Sequence, residues 1–240
     1  ENYETYGSPR ITNELNNIGY HVTERTVSRY MRELGLRAIP ENKFVVTTNS
    51  DHDDEIYPNI INREFTVEKP NQVWASDITY IWTSEGWLYL AIIMDLFSRK
   101  IVAWHMAQNL SKELTKTALE RALTFRNPSD KLVHHSDRGA QYTSKDYISL
   151  LVENDIQNSM SRKGDCYDNA CVESFFATLK KEYVYRRKFK TREEAKLGIW
   201  KYIIRFYNEK RIHSTLGYVS PNQYEKEYFE STSTHNLEVA

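Results

Sequence analysis

The chain has 240 residues, of which 40% are hydrophobic and 27% charged, and its formal net charge at pH 7 is −1. This length and composition indicate a folded chain with one substantial domain and room for a small one, and they exclude a disordered polypeptide. No apolar run approaches the ~20 residues that span a bilayer, and the first residues lack the basic-then-apolar order of a signal peptide. We therefore expect a cytoplasmic protein.

The N-terminal region predicts two short helices, Arg10–Asn17 and Glu24–Leu34, with Thr23 as N-cap and Gly35 as the end of the second helix. A helix, a glycine-containing turn and an amphipathic helix are typical of a helix-turn-helix. The polar face of the second helix carries residue types that contact phosphates and base edges. A small helical hairpin with a solvated basic face is the alternative. The candidate DNA-contact residues of this helix are Arg25, Ser28, Arg29 and Arg32.

Residues 1–38 are taken as the helix-turn-helix domain, and residues 39–70 as a linker because they are net acidic, contain three prolines and show no clear period. From residue 71 the pattern changes to strands and helices, which predicts a mixed sheet covered by helices. The expected strands are Val73–Trp82, Leu88–Met94, Lys100–Met106, Leu132–Ser136 and Ile156–Ser159, and the expected helices are Ser111–Phe125, Ser144–Glu153, Asn169–Tyr183 and Arg192–Asn208.

Positive charge is concentrated between Lys180 and His213, a stretch that contains twelve Lys and Arg residues and four acidic residues. Such a basic stretch supplies phosphate affinity in DNA-binding proteins, although many solvated helix surfaces have the same composition. Cys166 and Cys171 are the only cysteines. A zinc site needs about four ligands, so reduced, inert thiols are the better interpretation of this pair.

Three carboxylates stand at positions where an α/β sheet places chemistry: Asp77 within a strand, Asp137 at a strand end and Glu173 one turn into a helix. Taken singly, each is better explained as a structural residue. As a set they predict a divalent-metal site, because two Mg²⁺ ions can hold the attacking and leaving oxygens of a phosphoryl transfer.

The sequence motifs around these acids resemble those of a known family. They are Trp74-Ala-Ser-Asp77-Ile-Thr-Tyr80, His135-Ser-Asp137-Arg-Gly139 and Asp168-Asn169-Ala-Cys-Val-Glu173-Ser, followed by Leu179-Lys180 and Tyr207-Asn208-x-x-Arg211-x-His213. Thirty-five residues separate Asp137 from Glu173. In these motifs, from about Tyr6 to Pro221, the chain resembles the orfB-type transposases of the insertion-sequence-three family, within the retroviral integrase superfamily.

The resemblance implies a ribonuclease-H-like α/β fold with a mixed five-stranded sheet in a catalytic core at residues 71–183, and a basic helix and tail at 184–240 that pack on the core. It implies that Asp77, Asp137 and Glu173 are the catalytic residues and hold two Mg²⁺ ions, for which Mn²⁺ is expected to substitute. Lys180, seven residues after Glu173, is expected to face the same cleft and contact DNA. Arg211 and His213 are expected to contact DNA, with tertiary packing as the alternative.

By the same resemblance, the chain cleaves the ends of an insertion element and transfers the 3′-OH strand to another phosphodiester. The expected partners are double-stranded DNA (terminal inverted repeats and target), further copies of the chain in a dimer or larger assembly, and a protein from an upstream reading frame. Two other functions stay open: a nuclease that hydrolyses without joining strands, and a DNA-binding regulator with vestigial acids.

Several neighbouring residues could be mistaken for site residues. Asp165 and Asp168 are alternatives to Glu173, although Asp168 is expected to precede the first helical turn. Asn169 is expected to cap that helix, with DNA contact as the alternative. Asp95, in the turn after the second strand, is expected to be structural.

Overall fold

A computed structural model describes residues 5–36, 56–62, 66–128, 131–162 and 166–238. Within them, no helix is both long and apolar enough to cross a membrane. The strands are β1 (Val73–Thr83), β2 (Gly86–Asp95), β3 (Ile101–Ala107), β4 (Val133–Ser136) and β5 (Gln157–Met160). The α-helices are α1 (Ser8–Asn17), α2 (Glu24–Glu33), α3 (Lys112–Arg126), α4 (Ala140–Thr143), α5 (Lys145–Glu153), α6 (Ala170–Glu182), α7 (Arg192–Lys201) and α8 (Pro221–Glu238).

The five strands form one mixed sheet in the order β3-β2-β1-β4-β5. The first three strands are an antiparallel meander, because short turns connect them, whereas β4 and β5 pair in parallel after helical crossovers. The predicted mixed five-stranded sheet with flanking helices is therefore confirmed.

Each face of the sheet is buried under helices, which explains why β2 is apolar on both faces. Leu90 and Ile92 point into one core, which α6 and α7 cover. Ala91 and Ile93 point into the other core, which α3 and α5 cover. Because β1 lies in the centre of the sheet, its residues Trp74 and Ala75 have paired neighbours on both sides, in β2 and β4.

The N-terminal helices form a pair in which Thr23 caps α2 by accepting a hydrogen bond from the Thr26 N–H at 3.3 Å. The expected apolar stripe is only partly packed, since Val27 is buried while Leu34 is 71% exposed. Tyr6, just before α1, is buried against the core, and its hydroxyl accepts a hydrogen bond from the Ile212 N–H at 3.1 Å.

Two parts of the C-terminal region differ from the expectation. The helix expected over Arg192–Asn208 changes from α-helix to π-helix at Tyr202. The tail contains α8, which the sequence analysis did not identify. The carboxylate of Glu225 on α8 accepts hydrogen bonds from Ser98, Lys100 and Arg126, and these contacts fix the helix to the core. Residues 37–55, where most of the predicted linker lies, are outside the described residues.

Candidate active site

Asp77 and Asp137 are brought together by the register of two neighbouring parallel strands. Ala75 on β1 pairs with His135 on β4, and each aspartate follows two residues later. Because paired strands lie about 4.8 Å apart, the Asp77 and Asp137 carboxylates lie side by side. The Ile78 N–H donates to one Asp77 oxygen at 2.7 Å, and the Gly139 N–H donates to one Asp137 oxygen at 2.9 Å.

Glu173 reaches the same place because the start of α6 is attached to β1. The side-chain amide of Asn169 donates to the Ser76 carbonyl at 3.1 Å, directly before Asp77. Asn169 occupies the N-cap position but makes no capping hydrogen bond with its side chain. The expected capping role is therefore wrong, because the Asn169 amide connects the helix to the strand instead. Glu173 lies in the first turn of α6, four residues further on.

The three carboxylates interact with one another. Burial raises the pKa of Asp77 well above its usual value, and repulsion by Asp137 and Glu173 raises it further. Burial and repulsion by Asp137 also raise the pKa of Glu173. Three half-buried acids that share one cleft favour protonation unless a cation lies among them. The structure thus assembles the trio that the sequence identified.

The donor set fits a divalent cation. Carboxylate oxygens are the ligands that Mg²⁺ prefers, and the mutual repulsion that raises the pKa of Asp77 is relieved by positive charge. Among the described residues, no group of three or more His, Cys, Asp or Glu side chains is arranged so that it could hold a metal ion. The trio shares one cleft, and its carboxylates would have to move to hold an ion between them, with water or substrate oxygens as further ligands.

Lys180 faces the same cleft, as its spacing from Glu173 predicts. It is 9% exposed, and its ammonium lies 5.0 Å from the centre of the Tyr80 ring. Burial lowers the pKa of Lys180, and attraction to Asp77 opposes this effect. Lys180 is therefore not an ordinary solvent-facing lysine, because it lies close enough to Asp77 for the two charges to interact.

The rival acids have structural roles. Asp168 is buried, and its carboxylate accepts hydrogen bonds from the backbone and the guanidinium of Arg162. Asp95 is also buried, where it accepts from the N–H groups of Asn71 and Phe97 and pairs with Arg126. The expectation that Asp95 is structural is confirmed. Asp165 lies outside the described residues.

Arg211 is buried and His213 half-buried, and both line a pocket of about 270 Å³ together with Arg10 and Arg99. The Arg211 guanidinium makes a buried ion pair with Glu182, with hydrogen bonds of 2.9 to 3.1 Å. Burial and three nearby arginines lower the pKa of His213 to about 2, which keeps the ring neutral at physiological pH. The structure favours the packing alternative for both residues, because Arg211 is neutralised by Glu182 within the fold and His213 carries no charge.

The candidate contacts of the helix-turn-helix lie on one side of α2. Arg25, Arg29 and Arg32 are exposed, and Ser28 is half-buried. Arg29 forms a long, exposed ion pair with Glu33 at 3.8 Å, and its guanidinium lies 5.1 Å from the centre of the Tyr30 ring. A DNA phosphate can compete with such a pair, because exposed ion pairs contribute little to stability. These four residues therefore remain candidate DNA contacts.

Two site-supporting residues were missed by the sequence analysis. Tyr142 on α4 shares a hydrogen bond of 2.9 Å with Ser76, the neighbour of Asp77. His134 on β4 is fully buried, shares a hydrogen bond of 2.9 Å with the Tyr147 hydroxyl, and has its pKa lowered to about 3 by burial. The only available signal was the pair of histidines within a buried strand, which indicates neutral, hydrogen-bonded rings.

Of the two cysteines, the structure describes the side chain of Cys171. Cys171 is a free thiol that contacts the Arg99 guanidinium. The side chain of Cys166 lies outside the described residues, so its role stays a prediction.

Comparison with known proteins places these observations in a family. Two overlapping family models, both described as integrase core domain, match residues 67–166 and 154–221. A model described as HTH-like domain matches residues 1–44. The chain is 45% identical over 225 residues to an uncharacterized 31 kDa protein of insertion element IS600 from Shigella sonnei, covering 94% of this chain and 83% of the relative. It is 42% identical over 222 residues to the transposase InsF for insertion sequence IS3A from Escherichia coli K12, covering 92% and 77%.

A solved structure supports the fold. The simian T-cell lymphotropic virus intasome, in complex with a PP2A regulatory subunit, matches with a TM-score of 0.54 at 14% identity, covering 92% of this chain and 70% of the viral chain. At this identity the match shows a shared fold, and the relatives above identify the family. The chain belongs to the IS3 family of insertion-sequence transposases, with an HTH-like domain preceding an integrase core.

Proposed function

We propose that this chain cleaves the DNA ends of its insertion element and joins the exposed 3′-OH to another phosphodiester. The observation that carries the proposal is the convergence of Asp77, Asp137 and Glu173, whose charges interact although the residues lie far apart in sequence. A cluster of this kind suits phosphoryl transfer, which needs positioning and charge stabilisation more than a protein nucleophile.

Asp77, Asp137 and Glu173 would hold two Mg²⁺ ions, or Mn²⁺ in their place. When bound, such ions activate the attacking hydroxyl or water and stabilise the departing 3′ oxygen. The fixed position of the aspartates supports this assignment, because backbone N–H groups orient one oxygen of each carboxylate. Glu173, on the first turn of α6, would complete the site from the opposite side.

The other residues would bind and orient the DNA. Lys180 lies beside Asp77, where its ammonium would contact a phosphate next to the scissile bond. The exposed face of α2 would recognise the terminal repeats in the major groove, and phosphate contacts would set the register. The exposed arginines of this face are Arg25, Arg29 and Arg32, with Ser28 beside them.

Each chain has one carboxylate trio, whereas an element has two ends. We therefore expect two or more copies of the chain to act together on DNA, in the cytoplasm. A protein encoded by an upstream reading frame is a further expected partner.

The proposal is tested by supplying the purified chain with a pre-cut terminal-repeat duplex, a supercoiled plasmid and Mg²⁺. Joined products are expected with the wild-type chain, and none when the Mg²⁺ is chelated. Cleavage without joining would support the nuclease alternative, and binding without either reaction would support the regulator. The three interacting acids favour an enzyme over the regulator.

A further inference from the structure

A second surface feature lies along β1, between the carboxylates and the tip of the β1–β2 hairpin. It is a cleft of about 700 Å³, and we call it the aromatic cleft. It is lined by aromatic and basic side chains, and none of the described residues that line it is acidic. Its lining includes Tyr80, Trp82, Trp87, Lys180, Tyr185, Arg187 and Lys188.

The aromatic side chains of this cleft are unusually exposed. Trp82 is 60% exposed, Trp87 is 42% exposed and Tyr185 is 64% exposed. The Trp82 and Trp87 rings meet edge to face with centroids 4.8 Å apart, and Tyr80 meets Trp87 in the same way at 5.0 Å. Edge-to-face contacts fix the orientation of the rings and leave ring faces open for stacking.

Positive charge surrounds these rings. Lys180 lines the cleft and lies close to Asp77, and Arg187 and Lys188 are exposed residues of the same lining. The Arg187 guanidinium is held over the Tyr183 ring at 3.9 Å, which orients it. Aromatic faces interleaved with Lys and Arg attract a chain of phosphates that carries stackable bases.

The backbone explains why a cleft exists here. In the described residues, β1 pairs with β4 only from Val73 to Ala75, so the edge of β1 opens at the position of Asp77. The edge closes again at Thr83, which forms a bridge with Phe189. At about 3.3 Å per residue, Asp77 and Trp82 are roughly 16 Å apart along the strand, a length that a few nucleotides can span.

We propose that the aromatic cleft binds the unpaired nucleotides that flank the cleaved element end, next to the scissile phosphate. The ligand is single-stranded because the base faces that would stack on Trp82 are hidden inside a duplex. This inference rests on the proposed function for its location relative to the scissile bond. Binding of unpaired nucleotides to the cleft requires neither metal nor strand joining. The cleft inference and the proposed function can therefore fail separately.

The first experiment measures binding of a fluorescent ten-nucleotide single strand to the full chain in the presence of EDTA. Trp82→Ala is expected to weaken this binding by roughly five- to a hundredfold, the loss that removal of one base–aromatic stack produces. Binding of a blunt terminal-repeat duplex is expected to change less than about twofold, because the duplex is held elsewhere. Trp82→Tyr keeps a stacking face and should restore most of the affinity.

The matched control is Trp200→Ala, because Trp200 on α7 is 39% exposed and does not line the cleft. The affinity of the Trp200→Ala variant for the single strand should equal that of the wild-type chain. An equal loss in both variants, or no loss in Trp82→Ala, overturns the proposal. If Trp82→Ala instead splits an assembly in sedimentation while single-strand affinity is kept, the cleft is a protein interface and the proposal is wrong.

The second experiment separates this inference from the proposed function. Pre-cut duplexes with and without a five-nucleotide unpaired flank on the other strand are compared in strand joining with Mg²⁺. The wild-type chain should prefer the flanked duplex, and Trp82→Ala should lose that preference while still joining blunt ends. A chain that joins nothing but shows the Trp82-dependent binding would refute the proposed function and leave the cleft assignment intact.

Discussion

Lys180 and Arg211 are both basic residues within the family motifs, yet they lie in opposite electrostatic surroundings. Their exposures are similar, at 9% and 5%. Lys180 adjoins Asp77, which interacts with two more acids, so negative charge exceeds positive charge around the catalytic cleft. Arg211 is neutralised by Glu182, and further arginines surround it. Burial therefore does not distinguish a candidate DNA contact such as Lys180 from a structural cation such as Arg211, whereas their local charge balance differs.

The comparison also explains why the two regions should respond differently to mutation. In the catalytic cleft, removing an acid relieves repulsion, so folding should survive while the reaction is lost. At the Arg211–Glu182 pair, removing one partner leaves a buried charge without compensation, so folding should suffer first.

The largest effect is expected for Asp77→Asn. Strand joining should fall about a thousandfold or more, corresponding to about 4 kcal/mol of barrier, because the amide cannot share the role of a carboxylate in the cluster. The measurement is joined product per unit time, with terminal-repeat binding determined in parallel. Asp155→Asn makes the same chemical change in an exposed turn and should leave joining unchanged. If DNA binding is lost together with joining, the role of Asp77 is in folding and not in catalysis.

Arg211→Ala should destabilise the fold by about 3–5 kcal/mol, because Glu182 would remain buried without its partner. Urea unfolding measures this change. Lys210→Ala, at the exposed neighbouring position, should stay within about 0.5 kcal/mol of the wild-type chain. If Arg211→Ala keeps its stability and instead loses salt-dependent DNA affinity, the ion pair is not the main role of Arg211.

The buried histidine beside the catalytic cleft predicts acid sensitivity. The pKa of His134 is lowered to about 3, so on acidification the unfolded chain takes up a proton near pH 6.5 while the folded chain does not. The free energy of unfolding should therefore fall as the pH drops from about 6.5 towards 3, by at most about 1.4 kcal/mol per pH unit from this residue. His134→Gln should flatten the fall, and His21→Gln, at an exposed site, should not. Identical slopes in all three chains would contradict the assignment.

The smallest effect is expected for Lys180→Ala. DNA affinity should decrease, and the slope of log affinity against log salt should flatten by about one unit, because one phosphate contact is lost. Lys226→Ala on α8 removes a 66% exposed lysine side chain and should leave the slope unchanged. An unchanged slope for Lys180→Ala, in a variant shown to be folded by its thermal melt, would make this lysine a structural residue of the cleft.

The sequence alone determined the parts that depend on local pattern. Alternation and turn residues predicted all five strands, and the motifs selected Asp77, Asp137 and Glu173 before any contact was known. The N-cap residue Thr23 followed from the same local chemistry and is confirmed.

Only the tertiary structure decided which neighbours each side chain meets. Asn169 at a helix start looks like a cap, yet it connects α6 to β1 because Ser76, 93 residues earlier, lies within reach. Arg211 looks like a DNA contact until Glu182, 29 residues earlier, is found beside it. Alternation places Trp74 and Trp82 on one face, but the packed cluster that buries Trp74 does not include Trp82. Such contacts join residues remote in sequence, and no local period encodes them.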